Sequence, residues 1–129
     1  MKEDFVGYDL AVKLKEKGFD EPCYGYYHLN GGDDSFELCG NDSFDFLNSL
    51  NRFRIASPFI SQALKWLREE KKIHVEIDLM KAYPEAKLTY WGYNIVLIDK
   101  YEVYHFEWNS NTYEQAALAG IEYVIDNLI

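Results

Sequence analysis

The chain has 129 residues, of which 48% are hydrophobic and 27% charged, and its formal net charge is −9. Folding at this size removes roughly two-thirds of the surface that an unfolded chain exposes, so the length allows a hydrophobic core. The negative charge argues against binding to a nucleic-acid backbone or an anionic membrane, because both interactions gain affinity from Lys and Arg. No apolar run reaches the length of a transmembrane helix.

The N-terminus and the two cysteines indicate the compartment. Residues 1–10 contain no apolar stretch of the kind that a signal peptide requires. Cys23 and Cys39 are sixteen positions apart, and neither belongs to a Cys-x-x-Cys motif or has neighbours at metal-ligand spacing. We therefore expect a cytoplasmic protein with both thiols reduced, since disulfides persist mainly in oxidising compartments.

The first part of the chain is predicted to form a helix and a β-hairpin. The helix is expected from Tyr8 to Lys17, with Gly18 in the left-handed conformation that often follows a helix. The hairpin strands are expected at Cys23–Leu29 and Phe36–Cys39, because the glycines and aspartates between them favour a turn. Residues 40–55 show no pattern that decides between a short helix and a loop.

A second helix is predicted to begin after Ser57. Ser57 is a favoured N-cap residue, and Pro58 suits the first helical turn, where a missing N–H costs nothing. We expect the helix to end near Glu70. Its apolar side chains repeat at the spacing of one buried helical face, and they are Ile60, Ala63, Leu64 and Leu67.

The hydrophobic period then changes from that of a helix to that of a strand. Apolar and polar residues alternate from Ile73 to Leu79, which is typical of a half-buried strand. Two more strands are predicted at Leu88–Ile98 and Tyr101–Trp108. The short connections between these three strands favour an antiparallel meander.

A last helix is predicted to begin with a capping box formed by Asn111 and Glu114. Gly120 lies in the apolar stripe of this helix, where its small size favours a close approach to the sheet. The element order is α-β-β-α-β-β-β-α. The sequence thus predicts a single α+β domain over residues 1–129, with a hairpin and a three-strand meander in an antiparallel sheet and helices on one face.

Three polar residues of the first meander strand are a candidate metal site. His74, Glu76 and Asp78 point to the same side of the strand, about 7 Å apart in succession. His and carboxylate side chains can bind a divalent metal, so a small metal-dependent hydrolase is one hypothesis. Polar residues at alternate positions are also expected on the solvent face of a half-buried strand. We prefer this interpretation to a metal site.

No motif for a catalytic nucleophile, a phosphate-binding loop or a cofactor occurs in the sequence. We therefore assign no catalytic, cofactor-binding or metal-binding residue and expect no cofactor, and the sequence favours a non-enzymatic protein over an enzyme.

Aromatic residues form the candidate partner-binding surface. The chain contains eleven Tyr, eight Phe and three Trp, and exposed Tyr and Trp side chains often anchor protein interfaces. Such rings can equally face the core or the rim of a sheet, and this alternative stays open. The candidate residues lie on the second and third meander strands and are Tyr90, Trp91, Tyr93, Tyr104 and Trp108.

Three stretches of the chain are distinctive together: KLKEKGFDEPCYGYY at 13–27, ASPFISQALKWLREEKKIHVEI at 56–77 and TYEQAALAGIEYVIDNLI at 112–129. They resemble a family of small proteins from phage and prophage regions of anaerobic gut bacteria. The resemblance implies association with a phage or mobile element, and it implies no activity and no functional residues.

The leading hypothesis is therefore a non-enzymatic accessory protein of a phage or mobile element that binds another protein. A second hypothesis is an acidic mimic of nucleic acid that inhibits a host DNA-binding protein. The mimic requires rows of carboxylates, for instance Glu76 and Asp78 beside Glu102. An open edge at the third meander strand would also allow a homodimer.

Overall fold

A computed structural model describes residues 2–39, 47–50, 52–81 and 89–129, without the side chains of residues 50, 80, 81, 89 and 104–108. The α-helices in these ranges are α1 (Tyr8–Glu16), α2 (Ile60–Glu70) and α3 (Tyr113–Asn127). The strands are β1 (Gly25–His28), β2 (Glu37–Leu38), β3 (Arg54–Ser57), β4 (Ile73–Lys81), β5 (Thr89–Leu97) and β6 (Glu102–Ser110).

These elements confirm the predicted α+β class and the predicted order of helices and strands. Strand β3 is additional, and it lies where the sequence predicted no element. A four-residue strand with three buried residues in succession shows no alternation, so its hydrophobic pattern is too short to identify it. The hairpin and the meander belong to two separate three-stranded sheets.

Contacts divide the chain into two compact units, Met1–Gln62 and Ala63–Ile129. The first unit contains the antiparallel sheet with strand order β2-β1-β3. Tyr27 and Ile55 lie opposite each other on β1 and β3, and both are buried. The Tyr27 hydroxyl donates a hydrogen bond to the Val6 carbonyl at 2.8 Å, which satisfies the polar end of this core ring.

Helix α1 depends on a cap from outside its own sequence. Gly7 precedes the helix and has no side chain that could accept a hydrogen bond from the first turn. Asp33, in the loop after β1, fills this role, because its Oδ1 accepts the Tyr8 N–H at 2.9 Å. Gly18 has a φ of +93°, which confirms the left-handed conformation predicted after the helix.

Ser57 is not the N-cap of α2, which corrects the prediction from sequence. It is the last residue of β3, and its hydroxyl donates to the Val6 carbonyl at 2.9 Å, while α2 begins at Ile60. The next residue, Pro58, accepts a hydrogen bond from Val6 N–H at 3.0 Å. These long-range hydrogen bonds to the segment before α1 override the local capping preference of the serine.

The second unit contains the predicted meander. Strands β4 and β5 pair over nine residues, from Ile73 opposite Leu97 to Lys81 opposite Thr89, and β6 pairs with β5 on its other side. Helix α3 contacts all three strands. A Cβ placed on Gly120 would lie 2.5 Å from Val75 Cγ1, so the close approach predicted for this glycine is confirmed.

The N-cap of α3 is Thr112, one residue after the predicted Asn111. The Thr112 hydroxyl accepts the Gln115 N–H at 3.1 Å, and the Gln115 side chain accepts the Asn111 N–H at 3.1 Å. Thr-x-x-Gln matches the capping-box sequence pattern and Thr112 supplies the cap, while the Gln115 side chain accepts the N–H one residue before the N-cap. Among the helices of the described ranges, none has the length and hydropathy that crossing a bilayer requires.

Candidate functional site

Strand β5 carries three of the five predicted surface residues, and the alternation of the strand divides them between the two faces of the sheet. Tyr93 is only 3% exposed, and its Cγ would lie 3.1 Å from a Cβ on Gly120 of α3. Its ring therefore belongs to the core under α3 and not to an exposed surface, which corrects the prediction for this residue. Trp91 is half-buried and shares the face of Tyr93, whereas the half-buried Tyr90 alternates to the other face.

Tyr104 and Trp108 lie in β6, but their side chains are outside the described residues. The backbone register places Trp108 opposite Gly92 of β5. A surface that includes these two residues therefore stays a prediction.

Trp91 instead forms a partly exposed group with two residues that the sequence did not single out. Its ring meets the ring of Tyr113, the first residue of α3, edge to face at a centroid distance of 5.6 Å. Leu79 lies directly opposite Trp91 in the β4–β5 register. Leu79 and Tyr113 are 53% and 41% exposed. We call Leu79, Trp91 and Tyr113 the Trp91 surface.

A sequence signal for Tyr113 does exist. It follows the N-cap directly and is four residues before Ala117, which lies on the buried face of α3. An aromatic residue that lies beyond the end of the buried face of a helix is expected to be partly exposed to solvent. Placing the N-cap at Thr112 would have indicated that Tyr113 lies at the start of the helix.

The candidate metal residues do not converge. His74 and Asp78 are half-buried and Glu76 is exposed, and among the described residues no three His, Cys, Asp or Glu side chains gather around a common point. Asp78 instead accepts a hydrogen bond from Asn94 Nδ2 at 3.2 Å across β4 and β5. This arrangement is a polar sheet face, and these three side chains do not form the convergent ligand set that a metal site requires.

The carboxylate row required for a nucleic-acid mimic is also not formed by the residues that suggested it. Glu102 lies opposite Leu97, which in turn lies opposite Ile73. Glu102 therefore has the parity of Ile73, whereas Glu76 and Asp78 alternate with Ile73 along β4. The three carboxylates are divided between the two faces of the sheet.

The first sheet carries a polar cluster that sequence reasoning missed. Glu37 Oε2 accepts a hydrogen bond from the Tyr26 hydroxyl at 2.6 Å and lies 3.2 Å from His28 Nε2. The Arg54 guanidinium lies over the Tyr26 ring, 5.0 Å from its centroid. We call Tyr26, His28, Glu37 and Arg54 the Tyr26 cluster.

Hydrogen bonding sets the ionisation of this cluster. The hydrogen bond from Tyr26, followed by the one from His28, lowers the pKa of the Glu37 carboxyl. The same hydrogen bond to Glu37 is the main cause that raises the pKa of Tyr26. Glu37 is therefore a carboxylate, and Tyr26 a neutral hydrogen-bond donor, at neutral pH. The cluster was missed because its members come from three strands, and Arg54 lies in the segment without a readable pattern.

The two cysteines are free thiols, and Cys23 is fully buried. Burial is the main cause that raises the pKa of the Cys23 thiol to about 12, and the Glu21 carboxylate adds to it. A thiolate nucleophile at Cys23 is therefore disfavoured at neutral pH. Cys39 is half-buried, and its thiol donates to the Cys23 carbonyl at 3.5 Å.

A groove of about 310 Å³ lies at the C-terminal end of α1. Its lining residues are Lys15, Gly18, Phe19, Asp20, Asn48 and Ser49. Asn48 donates to the Phe19 carbonyl at 2.8 Å and accepts the Ala56 N–H at 2.9 Å, while Asp20 accepts the Ser49 N–H at 2.8 Å. These side chains hold the backbone together, so we assign the groove no ligand.

Comparison of this chain with protein-family models, with curated proteins and with solved structures finds no match. The resemblance to phage and prophage proteins therefore stays a prediction, and the Trp91 surface is the structural feature on which a functional conclusion can rest.

Proposed function

We propose that the protein is a non-enzymatic accessory protein of a phage or mobile element and that it acts by binding another protein. The Trp91 surface is the binding site in this proposal. The observation that carries it is the edge-to-face contact of the half-buried Trp91 ring with the exposed Tyr113 ring, at a centroid distance of 5.6 Å, beside the exposed Leu79. The phage association is supported by the sequence resemblance alone.

The physical basis is that aromatic side chains carry much of the energy of protein interfaces. A Trp or Tyr ring buries a large apolar area and loses little conformational entropy on binding. The contact with Tyr113 restrains the Trp91 ring before a partner arrives, which lowers the entropy cost of association. An aliphatic side chain opposite the indole extends the apolar contact area.

The charge around the surface indicates the kind of partner. Residues 63–129 contain eleven Asp or Glu and seven Lys or Arg, and the exposed Glu114 follows Tyr113 directly. We infer a partner with an apolar pocket for the indole ring and a basic rim, because complementary charges accelerate association and exclude wrong partners.

The test begins with the full chain as bait in a lysate of host cells that carry the element, followed by affinity measurements with each captured protein. Tyr113→Ala and Leu79→Ser are expected to weaken binding by about tenfold or more each, since truncating a central anchor commonly costs about 2 kcal/mol. Tyr101→Ala is the matched control, because Tyr101 is 92% exposed and lies outside the Trp91 surface.

Circular dichroism shows whether each variant keeps its fold. Binding that is unchanged in Tyr113→Ala, Leu79→Ser and Trp91→Phe would refute the Trp91 surface as the binding site. Equal losses in the Tyr101→Ala control would refute it as well.

A further inference from the structure

We propose that two copies of this chain associate through the outer edge of β4, with the two β4 strands antiparallel about a two-fold axis at Val75. The partner is therefore a second copy of the chain, and the two meanders join into one sheet. The paired segment is residues 72–78 and ends before Leu79, so the Trp91 surface lies outside it. The proposal does not depend on the function proposed above.

Strand β4 has the most regular free edge in the described part of the chain. It pairs with β5 over nine residues without a register shift, and within the described ranges no strand pairs with its other side. Strand β6, the other edge of this sheet, has two register irregularities against β5, and bulges turn an edge away from further pairing. In the first sheet, β2 has only two residues, and side chains of Asn48 and Lys15 cover the outer edge of β3.

The backbone groups of alternate residues point out of the β4 edge. Ile98 N–H donates to the Lys72 carbonyl at 3.0 Å, so this carbonyl points to the β5 side. A trans peptide group directs its N–H opposite to its C=O, and the Ile73 N–H therefore points to the outer side. Strand alternation places the N–H and C=O groups of Val75 and Ile77 there as well. Within the described ranges these groups make no hydrogen bond to another element.

The polar residues of this edge are complementary to each other about Val75. Lys72 and His74 precede Val75 at alternate positions, and Glu76 and Asp78 follow it at the mirror positions. Antiparallel pairing about Val75 therefore places Lys72 opposite Asp78 of the second copy. It also places the His74 imidazole, which can donate a hydrogen bond, opposite the Glu76 carboxylate of the second copy. Cross-strand pairs of this kind stabilise a sheet.

The apolar residues of the edge match about the same axis. Val75 lies opposite Val75 of the second copy, and Ile73 lies opposite Ile77. These side chains share the face that packs on α3, where Val75 meets Gly120. Their backbone groups point outward, so their pairs are the hydrogen-bonded ones and supply about six hydrogen bonds, two from each pair. The polar pairs are then the non-hydrogen-bonded ones, in which side chains lie closer together.

Other registers are less favourable. A two-fold axis at Glu76 places this carboxylate opposite itself, and an axis at Ile77 places Glu76 opposite Asp78. An axis at His74 places the two imidazoles opposite each other and gives Asp78 no cation. Like charges directly opposite each other destabilise a sheet, and a shift of one residue places polar side chains opposite apolar ones. The axis at Val75 is the one that pairs every position with a suitable partner.

The concentration dependence of the oligomeric state tests the proposal on the full-length protein. Sedimentation equilibrium measures it from about 1 µM to about 1 mM, and we expect a monomer–dimer equilibrium with a dissociation constant of about 1–100 µM, because one added strand buries little area. A protein that remains a monomer at about 1 mM would overturn the proposal and would favour a strand of a different protein as the occupant of the edge.

Two single variants and their mixture test the register. Glu76→Lys and His74→Glu each replace a complementary pair with a mismatched one, and the two-fold symmetry makes this happen twice in each dimer. We expect each variant to raise the dissociation constant by about tenfold or more. An equimolar mixture is expected to restore the dimer, because the introduced lysine then faces the introduced glutamate and one native His74–Glu76 pair remains.

Glu102→Lys is the matched control, since it makes the same charge change at an exposed residue of the other edge strand, β6. It is expected to change the dissociation constant by no more than about twofold. Circular dichroism shows that each variant is folded. A mixture that stays monomeric, or an equal loss of dimer in Glu102→Lys, would overturn the proposal.

Discussion

Burial of single side chains changes both chemistry and stability in this protein. Cys23 is fully buried, and its thiol is neutral over the whole physiological range because its pKa is raised to about 12. Gly120 is buried where α3 meets β4 and β5, and a larger side chain has no room there. Each residue leads to a prediction that a stability measurement can check.

The raised pKa of Cys23 predicts a loss of stability at alkaline pH. A folded-state pKa above the unfolded value of 9.0 stabilises the protein fully below pH 9, and this contribution is lost as pH rises toward 12. By about pH 10.5 the loss is about 2 kcal/mol. Urea unfolding of wild type and Cys23→Ala at pH 8 and pH 10.5 measures it.

The free energy of unfolding is expected to fall further in wild type than in Cys23→Ala between these two pH values. Burial also raises the pKa of Tyr27. Both proteins contain Tyr27, so its contribution to the pH dependence of stability cancels in the comparison. Parallel decreases in the two proteins would contradict the assignment.

Gly120→Ala is expected to destabilise the protein by about 1–3 kcal/mol, although alanine has the higher helix propensity. The new Cβ would lie 2.5 Å from Val75 Cγ1 and 3.1 Å from Tyr93 Cγ, so the helix must move away from the sheet. Thermal unfolding measures the effect. In a Val75→Ala background the added methyl group should cost much less, and an equal cost there would locate the strain elsewhere.

The ends of the elements are set by hydrogen bonds that the local sequence only partly reveals. Two overlapping sequence patterns could cap α3, and the observed N-cap is Thr112. Helix α1 is capped by Asp33, which comes from a different part of the chain. The outer edge of β3 is likewise covered by side chains, because Asn48 accepts the Ala56 N–H and Lys15 donates to the Arg54 carbonyl. Edge protection of this kind blocks pairing with another strand.

The two capping boxes of α3 lead to different predictions. Thr112→Ala is expected to cost about 1 kcal/mol, because it removes the acceptor for the Gln115 N–H. Asn111→Ala should cost only a few tenths of a kcal/mol, because the N-cap is Thr112 and the backbone N–H of residue 111 keeps its hydrogen bond to Gln115. Chemical denaturation of both variants measures the difference, and a larger loss in Asn111→Ala would contradict the observed cap.

Charge is the property that acts on the scale of the whole molecule. The net charge of −9 is spread over both compact units. Strand β6 is at the edge of the second sheet in the described part of the chain. A homodimer through this strand therefore stays a prediction, which light scattering would measure.

We expect no binding to duplex DNA at physiological salt, because a chain with a net charge of −9 gains little affinity from the displacement of counterions. Fluorescence anisotropy with a labelled duplex measures this directly. Salt-sensitive DNA binding in the micromolar range, about the affinity of ordinary nonspecific binding, would contradict the expectation.

The sequence by itself determined the α+β class, the order of the predicted elements, the close approach at Gly120 and the left-handed turn at Gly18. Each of these depends on a pattern of neighbouring residues, and the hydrophobic period and turn preferences act over a few positions. Only the tertiary structure decided that Tyr93 is core, that Trp91 meets Tyr113, and that Arg54 lies over Tyr26. These contacts depend on strand register and on which segments meet, and both are set by packing between residues far apart in the chain.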